Sequence, residues 1–297
     1  MMAVQIRRAV ESDMFGVYKL LRGSTLNARG LPLDARRRMF QPLWGGDEGY
    51  YGYLMEDGGA AGQGREVIGF LGTLFTTREI GGRRDDFCEI HSWYVRDSHR
   101  DESLNLLLPV IGMRKRTVVN HTPTQTVYDI SARFGFKDLE TGVVAFYPIP
   151  ATLRRPDIAT GDWRVPDRLD AASLKAYADH RDVRCLHVVI DDPMGPPVYA
   201  LFKTVRRRWF EPFGRLIHTS DPVAFARLAG GVVWRLCLKN RWQAVIANQL
   251  VFEGMEIPGV VRRVPREVPS QFRSKTLEAK DLDQLCSQPL LQGYRLH

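Results

Sequence analysis

Long apolar runs are missing from this 297-residue chain. No segment approaches the ~18 apolar residues needed to cross a bilayer, so no membrane partner is expected. The first residues, MMAVQIRRAVESD, also lack the roughly 7–15-residue apolar core of a secretory signal. Cysteine is scarce, and its four copies, Cys88, Cys185, Cys237 and Cys286, form neither a CxxC pair nor a Cys/His ligand spacing. That argues against a disulfide framework and against a structural metal. Together these absences point to a reducing, cytoplasmic setting. Lysine is sparse too: arginine outnumbers it about four to one, although the net charge is +8. The arginine clusters Arg36–Arg38, Arg114–Arg116, Arg206–Arg208 and Arg262–Arg263 are dispersed and carry no interleaved aromatics. They read as solvated surface, and a nucleic-acid partner is disfavoured.

What is present is an ordinary globular composition, 44% hydrophobic and 26% charged, which excludes a disordered or fibrous chain. The length suits two cores better than one, since domains cluster near ~100–150 residues. The Pro- and charge-rich stretch Pro148–Asp167 is the best linker, giving domains at 1–150 and 151–297. In the first, QIRRAVESDMFGVYKLLRGST predicts a short strand and then a helix capped by Ser12, with Phe15, Val17, Tyr18 and Leu21 on its apolar side. YYGYLMED and EVIGFLGTLFTTREI alternate like paired strands around a Gly/Ala-rich turn, Gly58–Gly64. FCEIHSWYV is a third strand. TVVN is a fourth, followed by Thr122-Pro123-Thr124-Gln125 as a capping box and a helix ending at Gly135. GVVAFYPIP closes this half. The second half repeats the order loosely: helix 169–178, strands 185–190, 198–205 and 215–218, helix 222–238 and strand 243–247.

One stretch concentrates the chemistry. SWYVRDSHRDESLNLLLPVI runs from a strand through a polar turn into Leu104, Leu107, Leu108 and Ile111 at helical spacing, with Pro109 expected to kink the helix. A strand, a turn and a helix start make an anion site. Helix, antiparallel strands, EIHSWYV, polar turn, helix, strand, and a helix ending in RFGFKDLE together resemble the GNAT superfamily of acyl-CoA N-acyltransferases, over about residues 4–148. The resemblance implies an α+β fold with a mixed central sheet flanked by helices, followed by a second α+β domain read as a degenerate repeat or as an unrelated fold.

The family's Arg/Gln-x-x-Gly-x-Gly turn, which holds the CoA pyrophosphate, aligns with Arg100, Asp101, Glu102, Ser103, Leu104 and Asn105. Both glycines are thus replaced, by Ser103 and Asn105. Asp101 and Glu102 would each repel a phosphate by ~1 kcal/mol at about 4 Å in bulk water, so they must face solvent if CoA binds. The resemblance further implies that the main chain at Trp93 and Val95 pairs with the pantetheine arm. Glu89 lies where some members carry a base, and His91, two residues on and on the same strand face, is the second candidate. The family's tyrosine acid is replaced by Ser131; Tyr128, a turn earlier, reads as core.

His187 and His218 read as core histidines. The implied activity is transfer of an acyl group, acetyl in the first instance, from acyl-CoA to a primary amine of a small molecule, with no metal. The wording of the first half is similar to GNAT proteins of surface-polysaccharide synthesis, which would make the acceptor an amino sugar. In this reading the second domain shapes the acceptor cleft or a homodimer. The competing reading is a catalytically silent scaffold that has kept the fold.

Overall fold

The computed structural model describes residues 4–24, 30–45, 48–58, 65–149, 156–161, 164–207, 211–259 and 261–291. Most of the turn expected at Gly58–Gly64 and part of the linker therefore lie outside the described residues. The chain divides into two compact units, one built from Met1–Lys137 with Ser270–Leu277, the other from Asp138–Pro269 with Glu278–Leu296. The change of unit falls at Lys137, earlier in the chain than the Pro-rich stretch.

In the first unit β1 (Gln5–Arg8) precedes α1 (Met14–Arg22) and α2 (Leu33–Phe40). Ser12 does not cap α1. It lies in a 3₁₀ turn ending at Asp13, whose carboxylate accepts from the Val10 amide at the start of that turn at 2.8 Å while Arg7 grips both its oxygens at 2.7 Å; no side chain bonds the first amides of α1. Arg7 holds the Asp13 carboxyl below its ordinary range. The buried side of α1 is Met14, Val17, Leu20 and Leu21, a spacing of three to four residues, which turns Phe15 outward to 67% exposure.

Strands β2 (Gly52–Asp57), β3 (Glu66–Ile80) and β4 (Arg83–Val95) follow, each antiparallel to the one before, and β1 pairs with β2. Next come α3 (Leu108–Ile111), β5 (Thr117–Asn120) parallel to β4, and α4 (Gln125–Arg133). Residues 271–273 of a later strand complete this sheet beside β5. Because side chains alternate along a strand, the sheet has two faces with separate cores. Leu54 and Phe70 meet α1 and Phe40, whereas Met55, Leu71, Cys88 and Ile90 meet Leu106, Leu107, Val110 and Phe136. Glu89 and His91 have the parity of the α1/α2 face.

The cap of α4 is Thr124, two residues later than expected, its hydroxyl accepting from Val127 N. The helix does end at Gly135, whose φ of 80° is the left-handed closure an L side chain resists.

In the second unit β6 (Lys137–Phe146), β7 (Ile158–Thr160), α5 (Ala171–His180), β8 (Leu186–Ile190), β9 (Val198–Arg207), β10 (Glu211–Thr219), α6 (Pro222–Asn240), β11 (Val245–Asn248) and β12 (Val261–Arg273) follow in order. β7 to β10 pair antiparallel in succession and β10 pairs parallel with β11. This is the order of pairings already seen in β1 to β5. β12 is the strand least visible in sequence. It contains Pro265 and Pro269, which cannot donate to a ladder and read as breakers.

Candidate active site

The parallel ladder between β4 and β5 is short, matching Phe87 with Thr117, Cys88 with Val118 and Glu89 with Val119. Beyond Glu89 the strand β4 continues six residues to Val95 without that partner. Its pairing to β3 also slips there, between Gly72↔His91 and Phe70↔Tyr94, which makes a bulge of Ser92 and Trp93. Ser92 sits at φ 51°, a rare value for a residue with a side chain. Bulges bend a strand and sharpen its twist. The carboxyl ends of β4 and β5 therefore diverge, and such a crevice at the ends of parallel strands is where open α/β sheets bind ligands.

Glu89, at the last rung, is fully enclosed. A buried carboxylate needs a compensating cation, and Arg78 of β3 provides it, donating Nη2 to Oε1 at 2.7 Å. The Arg78 guanidinium also lies 4.4 Å from the Phe87 ring centroid. The same oxygen, Glu89 Oε1, lies 3.2 Å from Nε2 of His121, the residue directly after β5. Arg78 and His121 were not singled out from the sequence. A histidine at the carboxyl end of a buried strand is the signal that could have found His121; nothing local marks Arg78.

His91 shares the face of Glu89 but has other neighbours. Its ring packs 5.3 Å from that of Phe40, its Nδ1 lies 3.1 Å from Ser92 Oγ, and it sits over Gly72, where any Cβ would fall 2.3 Å from His91 Cε1. Glycine at 72 is what seats the imidazole. Burial pushes its pKa from 6.5 down to about 3; Glu89 opposes the shift and Arg36, a buried member of the cluster expected at the surface, adds to it. The neutral ring is thus a weak base.

The shift has a sign for stability. The unfolded chain binds a proton at His91 that the folded chain refuses, so stability is fully present above pH 6.5 and falls as pH drops toward 3. Wild type should lose about 2 kcal/mol more than His91→Phe between pH 6.5 and 5. Urea unfolding at the two pH values measures the difference, and equal losses would contradict the assignment.

The loop after β4 differs from the expected helix start. Residues Asp97–Leu106 are 3₁₀ turns interrupted at His99, with Leu107 N donating to Leu104 O at 2.9 Å, and α-helix begins only at Leu108. Pro109 is the reason it does not kink a longer helix: it has no N–H for the carbonyl of residue 105, so it falls in the first turn of α3. Asp101 and Asn105 are exposed and Glu102, Ser103 and Leu104 half-buried. Arg100 pairs with Asp97 at 2.9 Å, and Arg96 with Glu66 at 2.5 Å. Trp93 is half-buried and Val95 is buried against the α3 side. Ser131 is wholly buried within α4, whereas Tyr128 is half-buried and its carbonyl accepts from Gln271.

In the second unit the parallel ladder ends at Arg215↔Ile246, and β10 slips against β9 between Leu216 and His218. The place that Glu89 occupies in the first unit is thus taken by Arg215, whose Nη2 lies 2.7 and 2.9 Å from the two Glu140 oxygens. Arg266 reaches Glu140 Oε2 at 2.7 Å, and Gln284 accepts from Arg215 Nε at 3.3 Å. His187 is a core residue, its Nδ1 2.8 Å from Tyr199 OH, whereas His218, also expected in the core, is half-buried with its Nδ1 3.8 Å from Asp283. Among the described residues no cluster of three His, Cys, Asp or Glu side chains is disposed to hold a metal ion.

No protein-family model matches the sequence, and no curated relative matches it. Solved structures do. A GCN5-related N-acetyltransferase from Kribbella flavida matches with a TM-score of 0.58 at 14% identity, over 92% of this chain and 71% of that one. One from Anabaena variabilis ATCC 29413 matches with a TM-score of 0.55 at 12% identity, over 91% and 72%. A GCN5-related glucosamine N-acetyltransferase region of a fungal multi-domain GH3 beta-N-acetylglucosaminidase gives 0.56 at 11% identity, over 92% of this chain and 38% of that one. The chain therefore has the fold of the GCN5-related N-acetyltransferases.

Proposed function

We propose that the protein transfers an acyl group from acyl-CoA to a primary amine of a small molecule. The observation that carries this is the parting of β4 and β5 after Glu89↔Val119, beside the bulge at Ser92, with a buried carboxylate and imidazole at the point of divergence. An acyl thioester seated there would have its pantetheine arm along the unpaired edge of β4 from residues 90 to 95, where main-chain groups at Trp93 and Val95 can pair with amides of the arm. The pyrophosphate would fall on the loop Arg100–Asn105, where exposed Asp101 faces water and Arg100 would have to exchange Asp97 for phosphate. Acetyl is the smallest acyl group this reading accommodates. An amino sugar is the acceptor class we favour, and the fungal glucosamine N-acetyltransferase region supports that choice by its likeness of fold. The second unit is read as a degenerate copy, because its pairing order repeats that of the first while an arginine stands in the carboxylate's place.

Titration calorimetry with acetyl-CoA and with CoA tests the donor side, and labelled acetyl transfer to glucosamine, amino acids and polyamines tests the acceptor side. Saturable heat and transfer to an amine are expected, with binding weakened about tenfold in Arg100→Ala through loss of a charge-assisted phosphate contact. The absence of both heat and thermal shift at millimolar acetyl-CoA would refute the assignment. The 3₁₀ loop and its internal Arg100–Asp97 pair favour a second reading, a silent scaffold, which predicts no transfer to any acceptor.

A further inference from the structure

We infer that the Ser92 hydroxyl donates a hydrogen bond to the thioester oxygen in the proposed transfer and that His91 is its positioning residue; this rests on the acyltransferase reading above. Past its last rung with β5, Glu89↔Val119, strand β4 reaches the bulge that lies between His91 and Tyr94. Ser92 stands in that bulge at φ 51°. Such a value strains any residue with a side chain and persists only where the surroundings fix it. Here Nδ1 of His91 lies 3.1 Å from Ser92 Oγ. The imidazole is itself fixed, by the Phe40 ring at 5.3 Å and by the lack of a side chain at Gly72.

Exposure separates Ser92 from its polar neighbours. Glu89, His91 and His121 are buried, and Ser131, at the family's tyrosine position, is sealed within α4, whereas Ser92 is half-buried and so reaches both the enclosed layer and solvent. A hydroxyl offers one hydrogen and two lone pairs. Burial keeps the His91 ring neutral, its pKa pushed from 6.5 down to about 3, so the ring carries one N–H. With that proton on Nδ1, the ring donates to Ser92 Oγ, and the hydroxyl hydrogen turns away from the ring toward the unpaired edge of β4, where the proposed thioester lies.

The step balances without a further reagent. The amine nitrogen attacks the thioester carbon, and the electron pair of the C=O bond moves onto oxygen, where the Ser92 hydroxyl meets the developing charge while keeping its own proton. The carbonyl then re-forms and the C–S bond breaks with its electron pair on sulfur. The proton shed by nitrogen ends on that sulfur, leaving amide and free CoA. A donor placed beforehand at the site of developing charge lowers the barrier without itself titrating.

Ser92→Gly is the variant that tests this, because glycine takes the same φ without strain and removes only the hydroxyl. With acetyl-CoA and glucosamine, or whichever amine the acceptor panel identifies, kcat and kcat/KM should both fall about 100-fold, the effect of losing one such donor. Calorimetry should give an acetyl-CoA affinity within about threefold of wild type, since the donor acts on charge that develops only in the transition state. The loss should be equal at pH 6 and pH 8. His91→Phe should lower kcat about tenfold alone but add nothing in the Ser92→Gly background, as expected of a residue that acts through another. In ¹⁵N-histidine-labelled wild type, His91 should show the Nδ1–H tautomer, a measurement that decides even if a variant fails to fold. A Ser92→Gly rate within about tenfold of wild type, a loss that lies in acetyl-CoA affinity or varies with pH, or an Nε2–H tautomer overturns the assignment, and an additive His91→Phe effect overturns the positioning role. If wild type binds acetyl-CoA but acylates no amine, the function falls and this assignment with it; wild-type turnover retained in Ser92→Gly overturns the assignment alone.

Discussion

Glu140→Gln is expected to destabilise the protein by about 3–5 kcal/mol, the cost of removing one partner from a buried ion pair. The side chain keeps its size, so the loss is electrostatic. Arg215 is 2% exposed and Glu140 1%, and Arg266 shares the same carboxylate. Desolvation already pulls the Arg266 pKa below its ordinary value, with Glu140 opposing that pull. Taking the negative charge away strands two guanidinium groups that cannot shed their protons at any ordinary pH, so no neutral state offers an escape. Urea unfolding should show a lower midpoint with little change in slope. A loss under about 1 kcal/mol would mean that other groups neutralise the arginines.

Arg78→Met should follow closely, at about 3 kcal/mol near pH 8, since it removes the cation at 2.7 Å from a carboxylate with no exposure. This deficit differs in kind. The stranded group is now an acid, which can take up a proton and become neutral, so the loss should shrink as pH falls. The double variant Arg78→Met/Glu89→Leu should recover most of the stability because no charge is left buried. Thermal unfolding of wild type and the two variants at pH 8 and pH 5 reads both effects. A deficit independent of pH, with no recovery in the double variant, would assign the role of Arg78 to packing on Phe87 instead of charge compensation.

Alternation and breakers carried most of the fold. EVIGFLGTLFTTREI is β3 as expected from its pattern, TVVN is β5, and Gly135 closes α4. The failures have local causes. Phe15 lies one step off the face of α1, and Ser12 falls inside the 3₁₀ turn that precedes the helix, so it does not sit at the helix start as a cap. Two prolines hid β12. In the loop after β4, apolar spacing alone suggested a helix, but the missing amide of Pro109 limits α-helix to the residues that follow.

The candidate site divides in the same way. That Glu89 and His91 share a face was readable, because the period of a strand is two. That Glu89 would meet Arg78 and His121, 11 and 32 residues away, was not. Nor was the meeting of Arg215 with Glu140 across 75 residues. By itself the sequence determined the elements, their order, the buried faces and the absence of glycine from the loop, all properties of residues within one or two turns of each other. Tertiary structure alone decided which strand ends part, where β4 bulges, and which cation and imidazole share an enclosed carboxylate. Those follow from strand register and long-range pairing, whose energies depend on groups that the local pattern never brings together.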